Sequence, residues 1–157
     1  MVANGGTLSV TGSTVKNIGE VPFNGAQHGV GIYYTGASGT ISGNTVSLYQ
    51  KGGIVTRDGG AVTISNNTVT GQGPITYIAQ NGIQVSFGTS ARLFGNNASL
   101  NNYSPPKVTA CGLLIYQAGG VSGATKGGIA FIKADNNFHN NETDICNSER
   151  AEGSASN

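Results

Sequence analysis

A short motif recurs along the chain: a glycine followed by alternating apolar residues. The four copies begin at Gly31, Gly53, Gly82 and Gly112, so the steps between them are 22, 29 and 30 residues. A second motif has four positions: an apolar residue, any residue, then Gly or Asn, and finally Asn or Ser. It occurs at 10–13, 41–44, 64–67 and 93–96, with a weaker copy at 134–137. Each repeat is too short to bury its apolar side chains alone, so the repeats must stack on one another.

The pattern inside each repeat indicates β-strands joined by tight turns. Each repeat holds two short strand signals and no helical period, which is typical of a solenoid with strand-built coils. We therefore predict an all-β parallel solenoid of about five coils, spaced about 4.8 Å apart. Equivalent residues of successive coils then become neighbours. The predicted inward rows are Ile32, Ile54, Ile83 and Leu113; Val10, Ile41, Ile64 and Leu93; and Val15, Val46, Val69 and Ala98.

The composition excludes several classes of protein. Glycine contributes 26 residues and asparagine 17, both suited to turns. Only 10% of residues are charged and the net charge is +1, which argues against a nucleic-acid partner because phosphates require a basic face. No apolar run approaches the length needed to span a membrane.

The recurring asparagines predict a hydrogen-bonded ladder. A tight corner favours a residue that tolerates left-handed backbone, and stacked amides can bond to the coils above and below. The predicted members are Asn44, Asn67, Asn96 and Asn137. The alternative is that these asparagines are ordinary exposed loop residues.

The segments GNTV, NNTV and FGNN, each paired with a GI-type strand, resemble the repeats of the right-handed parallel β-helices of the pectate-lyase-like superfamily. The resemblance covers roughly residues 5–140 and implies a right-handed parallel β-helix. We expect coils over 1–141 and a C-terminal cap or tail over 142–157. The superfamily includes polysaccharide lyases, hydrolases, sugar epimerases, phage tailspikes and non-catalytic surface modules, so the resemblance indicates fold more specifically than function.

The two cysteines, Cys111 and Cys146, allow one intramolecular pairing. Low charge, high Asn and Thr content and the family resemblance favour a secreted or cell-surface protein, where this pair forms a disulfide. Closing that loop is worth on the order of 4 kcal/mol. The alternative is two free thiols in an intracellular protein.

The acidic residues do not form a catalytic set. Asp58 is the only carboxylate expected in a coil near the middle of the rod, whereas glycoside hydrolysis needs a matched pair and calcium sites need several. No zinc-site spacing or phosphate-binding loop is present. We therefore expect neither a metal nor another cofactor.

Stacking the glycine motifs places polar and aromatic residues on one outer face. We predict glycan contacts from Tyr33, Arg57, Gln84, Tyr116 and Gln117. If the protein is an enzyme, Lys51 or His28 would be the base and Arg57 would neutralise a substrate carboxylate. The alternative is that these are ordinary residues of an exposed sheet surface.

The sequence thus favours a module that binds or organises polysaccharide or surface glycan without catalysis. The first alternative is a metal-free lyase or epimerase acting on uronate-containing chains. The second is a tailspike-like structural protein that self-associates through the ends or faces of the solenoid.

Overall fold

The computed structural model describes residues 1–104 and 107–148. Within them the chain forms sixteen strands and one short helix. The strands are β1 (Val2–Asn4), β2 (Thr7–Thr11), β3 (Thr14–Ile18), β4 (Val30–Thr35), β5 (Ser38–Ser42), β6 (Thr45–Tyr49), β7 (Gly52–Arg57), β8 (Ala61–Ser65), β9 (Thr68–Ile75), β10 (Asn81–Ser86), β11 (Ser90–Phe94), β12 (Asn97–Tyr103), β13 (Cys111–Tyr116), β14 (Gly120–Ser122), β15 (Asn137–His139) and β16 (Thr143–Asn147). The helix is α1 (Ile129–Asp135).

The strands assemble into three sheets that run along the rod. Sheet A has the order β1-β4-β7-β10-β13-β16, sheet B has β14-β11-β8-β5-β2, and sheet C has β15-β12-β9-β6-β3. All strand pairs within the sheets are parallel. The prediction of a parallel β-solenoid of about five coils is confirmed.

The core consists of apolar rows that run from coil to coil. In sheet A, Ile32 pairs with Ile54, Ile54 with Ile83, and Ile83 with Leu113. All four side chains are fully buried. The predicted inward rows of sheets B and C are likewise in register and buried. Burial of each such side chain stabilises the fold by roughly 1.5–3 kcal/mol.

Each coil turns three corners, and left-handed residues stack at all of them. The first corner follows sheet A and contains Gly36, Asp58, Phe87 and Gln117. The second corner joins sheets B and C and contains Gly12, Gly43, Asn66 and Gly95. The third corner lies near the ends of the sheet C strands β3, β6 and β15 and within β12, and it contains Asn17, Leu48, Leu100 and Asn140. Left-handed backbone costs an ordinary L-residue roughly 1–2 kcal/mol, which explains the frequency of Gly, Asn and Asp at these corners.

An asparagine ladder follows the second corner. Nδ2 of Asn44 donates to Oδ1 of Asn67 at 3.0 Å, and Nδ2 of Asn67 donates to Oδ1 of Asn96 at 2.9 Å. Nδ2 of Asn96 then donates to Oδ1 of Asn136 at 2.8 Å. Each amide nitrogen in this series also donates to a backbone carbonyl. The ladder therefore satisfies polar groups that are buried inside the rod.

The fourth ladder residue is Asn136, so the prediction of Asn137 is wrong by one position. Asn137 is exposed and starts β15, where it pairs with Asn97. The preceding residue, Asn136, consequently lies level with Asn96. Asp135 occupies the glycine position of the motif, and its carbonyl accepts a hydrogen bond from the Gly95 nitrogen at 2.6 Å.

A second, shorter ladder follows the third corner and was not predicted. Nδ2 of Asn101 donates to Oδ1 of Asn141 at 2.9 Å. The hydroxyl of Tyr49 donates to Oδ1 of Asn101 at 2.6 Å, two coils away. Burial raises the pKa of Tyr49 well above its usual range, and the bond to Asn101 only partly opposes this. This corner therefore also has an internal polar network.

The C-terminal coil is covered by two elements. Helix α1, which the sequence did not predict, packs against β11, β14 and β15, and it places Ile132 in the core at 1% exposure. Cys111 and Cys146 form a disulfide of 2.00 Å, as predicted. Strand β16 pairs with β13, so residues 143–147 of the segment expected as a C-terminal cap or tail add a strand to sheet A. The predicted tail from 149 onward lies outside the described residues.

Over residues 1–104 and 107–148, no helix is both long and apolar enough to cross a bilayer.

Candidate functional site

A cleft of about 400 Å³ opens on the outer face of sheet A. Five of the seven side chains predicted for this face line it: His28, Tyr33, Lys51, Arg57 and Gln84. The other two, Tyr116 and Gln117, do not line the cleft. The stacking of coils thus brings together residues that lie up to 56 positions apart in the sequence, from His28 to Gln84.

The floor of the cleft is built by register. Tyr33 pairs with Val55, and Val55 pairs with Gln84, so these side chains come from three successive coils. Because strand side chains alternate, all three point away from the buried isoleucine row. Val55 is 5% exposed and lies between the larger Tyr33 and Gln84. The floor therefore offers an aromatic ring, a small apolar patch and an amide.

One wall of the cleft is the loop 19–29, which leaves the rod between β3 and β4. The fully buried Gln50 holds this loop. Its Oε1 accepts hydrogen bonds from the nitrogens of Glu20 and Asn24 at 3.0 and 3.2 Å, and its Nε2 donates to the Ala26 carbonyl at 2.8 Å. A Cβ at Gly29 would lie 2.6 Å from Cβ of Gln50, so glycine is needed for this close approach. The wall is therefore fixed by packing and hydrogen bonds before any ligand binds.

Two cationic side chains, Lys51 and Arg57, and the imidazole of His28 face the cleft, and His28 and Arg57 each contact a carboxylate. Nε2 of His28 lies 2.6 Å from Oε1 of Glu20, and Nε of Arg57 lies 2.9 Å from Oδ2 of Asp58. Lys51 instead donates from Nζ to the Ala79 carbonyl at 3.0 Å. Among the described residues, no carboxylate lies within ion-pair distance of Lys51. Burial lowers the pKa of Lys51.

Arg57 connects the cleft with the first corner. The Thr35 hydroxyl donates to Oδ2 of Asp58 at 2.9 Å and so holds the carboxylate beside Arg57. The Nε atom of Arg57 is buried. Although it lies 2.9 Å from Oδ2 of Asp58, its N–H bond does not point at that oxygen and forms no hydrogen bond with it. Desolvation alone would lower the pKa of Arg57, but Asp58 and Tyr33 together raise it, so the guanidinium stays charged.

The first corner carries aromatic side chains next to the cleft. Cζ of Arg57 lies 4.7 Å from the ring centroid of Phe87. The Phe87 and Tyr116 rings meet edge to face, with centroids 5.3 Å apart. Gln117 is exposed at the same corner, one coil beyond Phe87. Seen from the cleft, Tyr116 and Gln117 therefore lie on the far side of Arg57.

The comparisons with known proteins agree with this architecture. The sequence matches the family model of the right-handed β-helix region over residues 1–155. The chain belongs to the right-handed β-helix family. No curated protein and no solved structure matches this β-helix.

Two contributors to the site were missed by sequence reasoning in this β-helix. Phe87 follows β10 directly, at the corner position that Asp58 and Gln117 occupy in adjacent coils, so aligning the corners would have revealed it. No sequence pattern predicted Gln50 or the wall that it supports, because the loop 19–29 has no counterpart of similar sequence in other coils.

The site has donors for an anionic or hydroxyl-rich ligand but few groups for catalysis. Among residues 1–104 and 107–148, no cluster of three His, Cys, Asp or Glu side chains could hold a metal ion. Glu20 is engaged by His28, and Asp58 is engaged by Arg57 and the Thr35 hydroxyl. Lys51 and His28 therefore remain the two candidates for a base in the cleft. Lys51 is held by a backbone carbonyl, and His28 contacts Glu20.

Proposed function

We propose that this β-helix binds polysaccharide or surface glycan in the cleft of sheet A and does not cleave it. The observation that carries the proposal is the cleft itself, where Tyr33, Lys51, Arg57 and Gln84 converge from three successive coils. Tyr33 offers an aromatic face for a sugar ring, and Gln84 and Lys51 offer donors for hydroxyl or carboxylate oxygens.

The site is built more like a binding surface than like a hydrolase centre. Its walls are preorganised by Gln50, which reduces the entropy lost when a ligand binds. Its carboxylates are committed to His28, Arg57 and Thr35 and are not a free acid–base pair.

The disulfide supports the second part of the proposal, a secreted or cell-surface location. Such bonds persist in oxidising compartments and are rare in the cytosol of most organisms. The Cys111–Cys146 bond joins two neighbouring strands of sheet A near the C-terminal end of the rod.

A polysaccharide binding screen tests this function. Acidic and neutral polysaccharides are titrated against the wild type, Tyr33→Ala and Lys51→Gln. We expect at least one polysaccharide to bind and each variant to weaken its affinity at least fivefold. Thr40→Ala, a change on the outer face of sheet B, is the matched control and should bind like the wild type. Equal affinity of all four proteins would refute the location of the site, and no binding across the panel would refute the function.

A metal-free lyase or epimerase is the second candidate, and the lowered pKa of Lys51 favours it. Lys51 would remove the proton next to a uronate carboxylate while Arg57 neutralises that carboxylate. Release of unsaturated uronate is followed by ultraviolet absorbance, and epimerisation by the proton NMR spectrum of the polymer. Turnover that Lys51→Gln abolishes would establish this candidate, whereas unchanged polymer in both assays would exclude it.

Self-association through the solenoid ends is proposed on a separate observation. Leu8 belongs to the inward row of sheet B, where it pairs with Gly39, yet it is 43% exposed. Within residues 1–104 and 107–148, the strands β1, β2 and β3 each have a neighbour on one side only, so their outer edges can accept another strand. Light scattering over a concentration series should show a rising mass that Leu8→Lys reduces; a constant monomer mass would contradict this.

A further inference from the structure

We propose that Phe87 is a second contact point for the glycan, so that the ligand is a chain of several sugars that crosses successive coils obliquely on the outer face of sheet A. The inference rests on the proposed function and adds to it the direction and the minimum length of the ligand. It predicts that one sugar unit lies in the cleft and a later unit places its apolar ring face against Phe87.

The backbone position of Phe87 is the first argument. Phe87 has φ of 48°, and the equivalent residues of the other coils are Gly36, Asp58 and Gln117. A bulky side chain in left-handed backbone is disfavoured. The corner requires left-handed backbone but not an aromatic ring. Stacking of the coils therefore does not account for the phenylalanine.

The Phe87 ring is held in place while part of it stays open. Arg57 lies 4.7 Å from the ring centroid and Tyr116 meets the ring edge to face at 5.3 Å. Phe87 and Tyr116 are each still 38% exposed. A fixed, partly exposed aromatic ring loses little conformational entropy on binding. This suits it to the apolar face of a sugar.

Continuity with the cleft identifies the occupant. Arg57 lines the cleft and also contacts Phe87, so no other side chain is needed to connect the two. The row from Tyr33 through Arg57 and Phe87 to Tyr116 crosses four successive coils. Arg57 lies two residues farther along its strand than Val55, the partner of Tyr33, and Tyr116 pairs with Ser86, the residue before Phe87. The row is therefore oblique: it extends about 14 Å across the coils and about 7 Å along the strands. A ligand that contacts both Tyr33 on the cleft floor and the aromatic pair must therefore be several sugar units long and must cross the coils obliquely.

The test compares short and long ligands. The probes are a galacturonate dimer and a galacturonate hexamer, because each unit carries a carboxylate for Lys51 and an apolar ring face. Affinities are measured by calorimetry for the wild type and Phe87→Ala. We expect the variant to bind the hexamer at least tenfold more weakly and the dimer with less than a twofold change, because only the hexamer reaches the corner.

The control is Leu100→Ala. Leu100 also has left-handed backbone, with φ of 59°, and is 40% exposed, but it lies at the third corner. This variant should bind both probes like the wild type. If Phe87→Ala does not fold, Phe87→Leu provides the same test, since leucine keeps apolar volume but lacks the flat ring.

The outcomes separate the inference from the proposed function. A wild type that binds the hexamer with an affinity unchanged by Phe87→Ala would overturn the inference and leave the function standing. Equal losses for dimer and hexamer would also overturn it, because they would indicate a change in the cleft itself. A wild type that binds neither probe refutes the inference; the proposed function falls only if the whole polysaccharide panel is negative as well.

Discussion

The first and second corners of this β-helix both contain left-handed residues in successive coils, but a residue type repeats from coil to coil only at the second corner. At the second corner the ladder position is asparagine in four successive coils, Asn44, Asn67, Asn96 and Asn136. At the first corner the stacked residues are Gly36, Asp58, Phe87 and Gln117, all different. Where the residue type repeats, each side chain bonds to its copy in the next coil. Where it varies, the side chains contact other groups or solvent.

This difference separates the parts of the molecule that hold the rod together from the parts that can bind. The ladder asparagines are buried or partly buried, and their hydrogen bonds lie inside the rod. The cleft residues Tyr33, Lys51 and Gln84 are partly exposed, with donors or rings at the surface. We therefore expect changes in the ladder to alter stability, and changes on sheet A to alter binding.

The largest expected effect is that of Asn67→Ala. Asn67 donates to Asn96 and to the Ile41 carbonyl, and it accepts from both the backbone and the side chain of Asn44. Removing its amide leaves several buried polar groups without partners, which should lower the free energy of unfolding by about 4 kcal/mol. Urea denaturation measures this change. A loss below about 1 kcal/mol would mean that the ladder is not a main support of the rod.

A smaller effect distinguishes the adjacent residues Asn136 and Asn137. Asn136→Ala removes bonds to Asn96 and to the Leu93 and Ile132 carbonyls at the partly covered end of the ladder. It should cost about 2 kcal/mol. Asn137→Ala is the matched control and should cost less than about 0.5 kcal/mol, because Asn137 is exposed. Equal unfolding midpoints for the two variants would contradict the assignment of the ladder.

The smallest effect concerns the pH dependence of binding. The amine of Lys51 is charged below its pKa, and burial lowers that pKa. Affinity for an acidic polysaccharide should therefore fall as pH rises, and the fall should begin at a lower pH than for an exposed lysine. Lys51→Arg keeps its charge and should retain affinity through the same range. Identical pH profiles for the wild type and Lys51→Arg would show that Lys51 does not hold the anionic group.

The parts of this fold that repeat were predictable, because stacking converts a sequence interval into a contact. The inward row from Ile32 to Leu113 followed from the glycine spacing alone. Asn136 was misassigned because helix α1 inserts before it and shifts the alignment of the weak fifth copy. The local motif could not reveal this shift.

The candidate site was predictable only in its outer row. Tyr33 and Gln84 followed from register, since both lie at the second position after a motif glycine. The wall at 19–29 was not predictable, since Gln50 binds a loop without a repeat partner. Phe87 was missed because the glycine motif ends before the corner where it lies.

Chemical-shift mapping by NMR tests most directly whether the non-repeating face is the binding face. The amide spectrum is recorded while a bound polysaccharide from the panel is titrated in. We predict shifts at His28, Tyr33, Lys51, Arg57 and Phe87, and none at the ladder asparagines or at Thr40 and Thr63 of sheet B. Shifts concentrated on sheet B or along the ladder, with sheet A unchanged, would contradict the account.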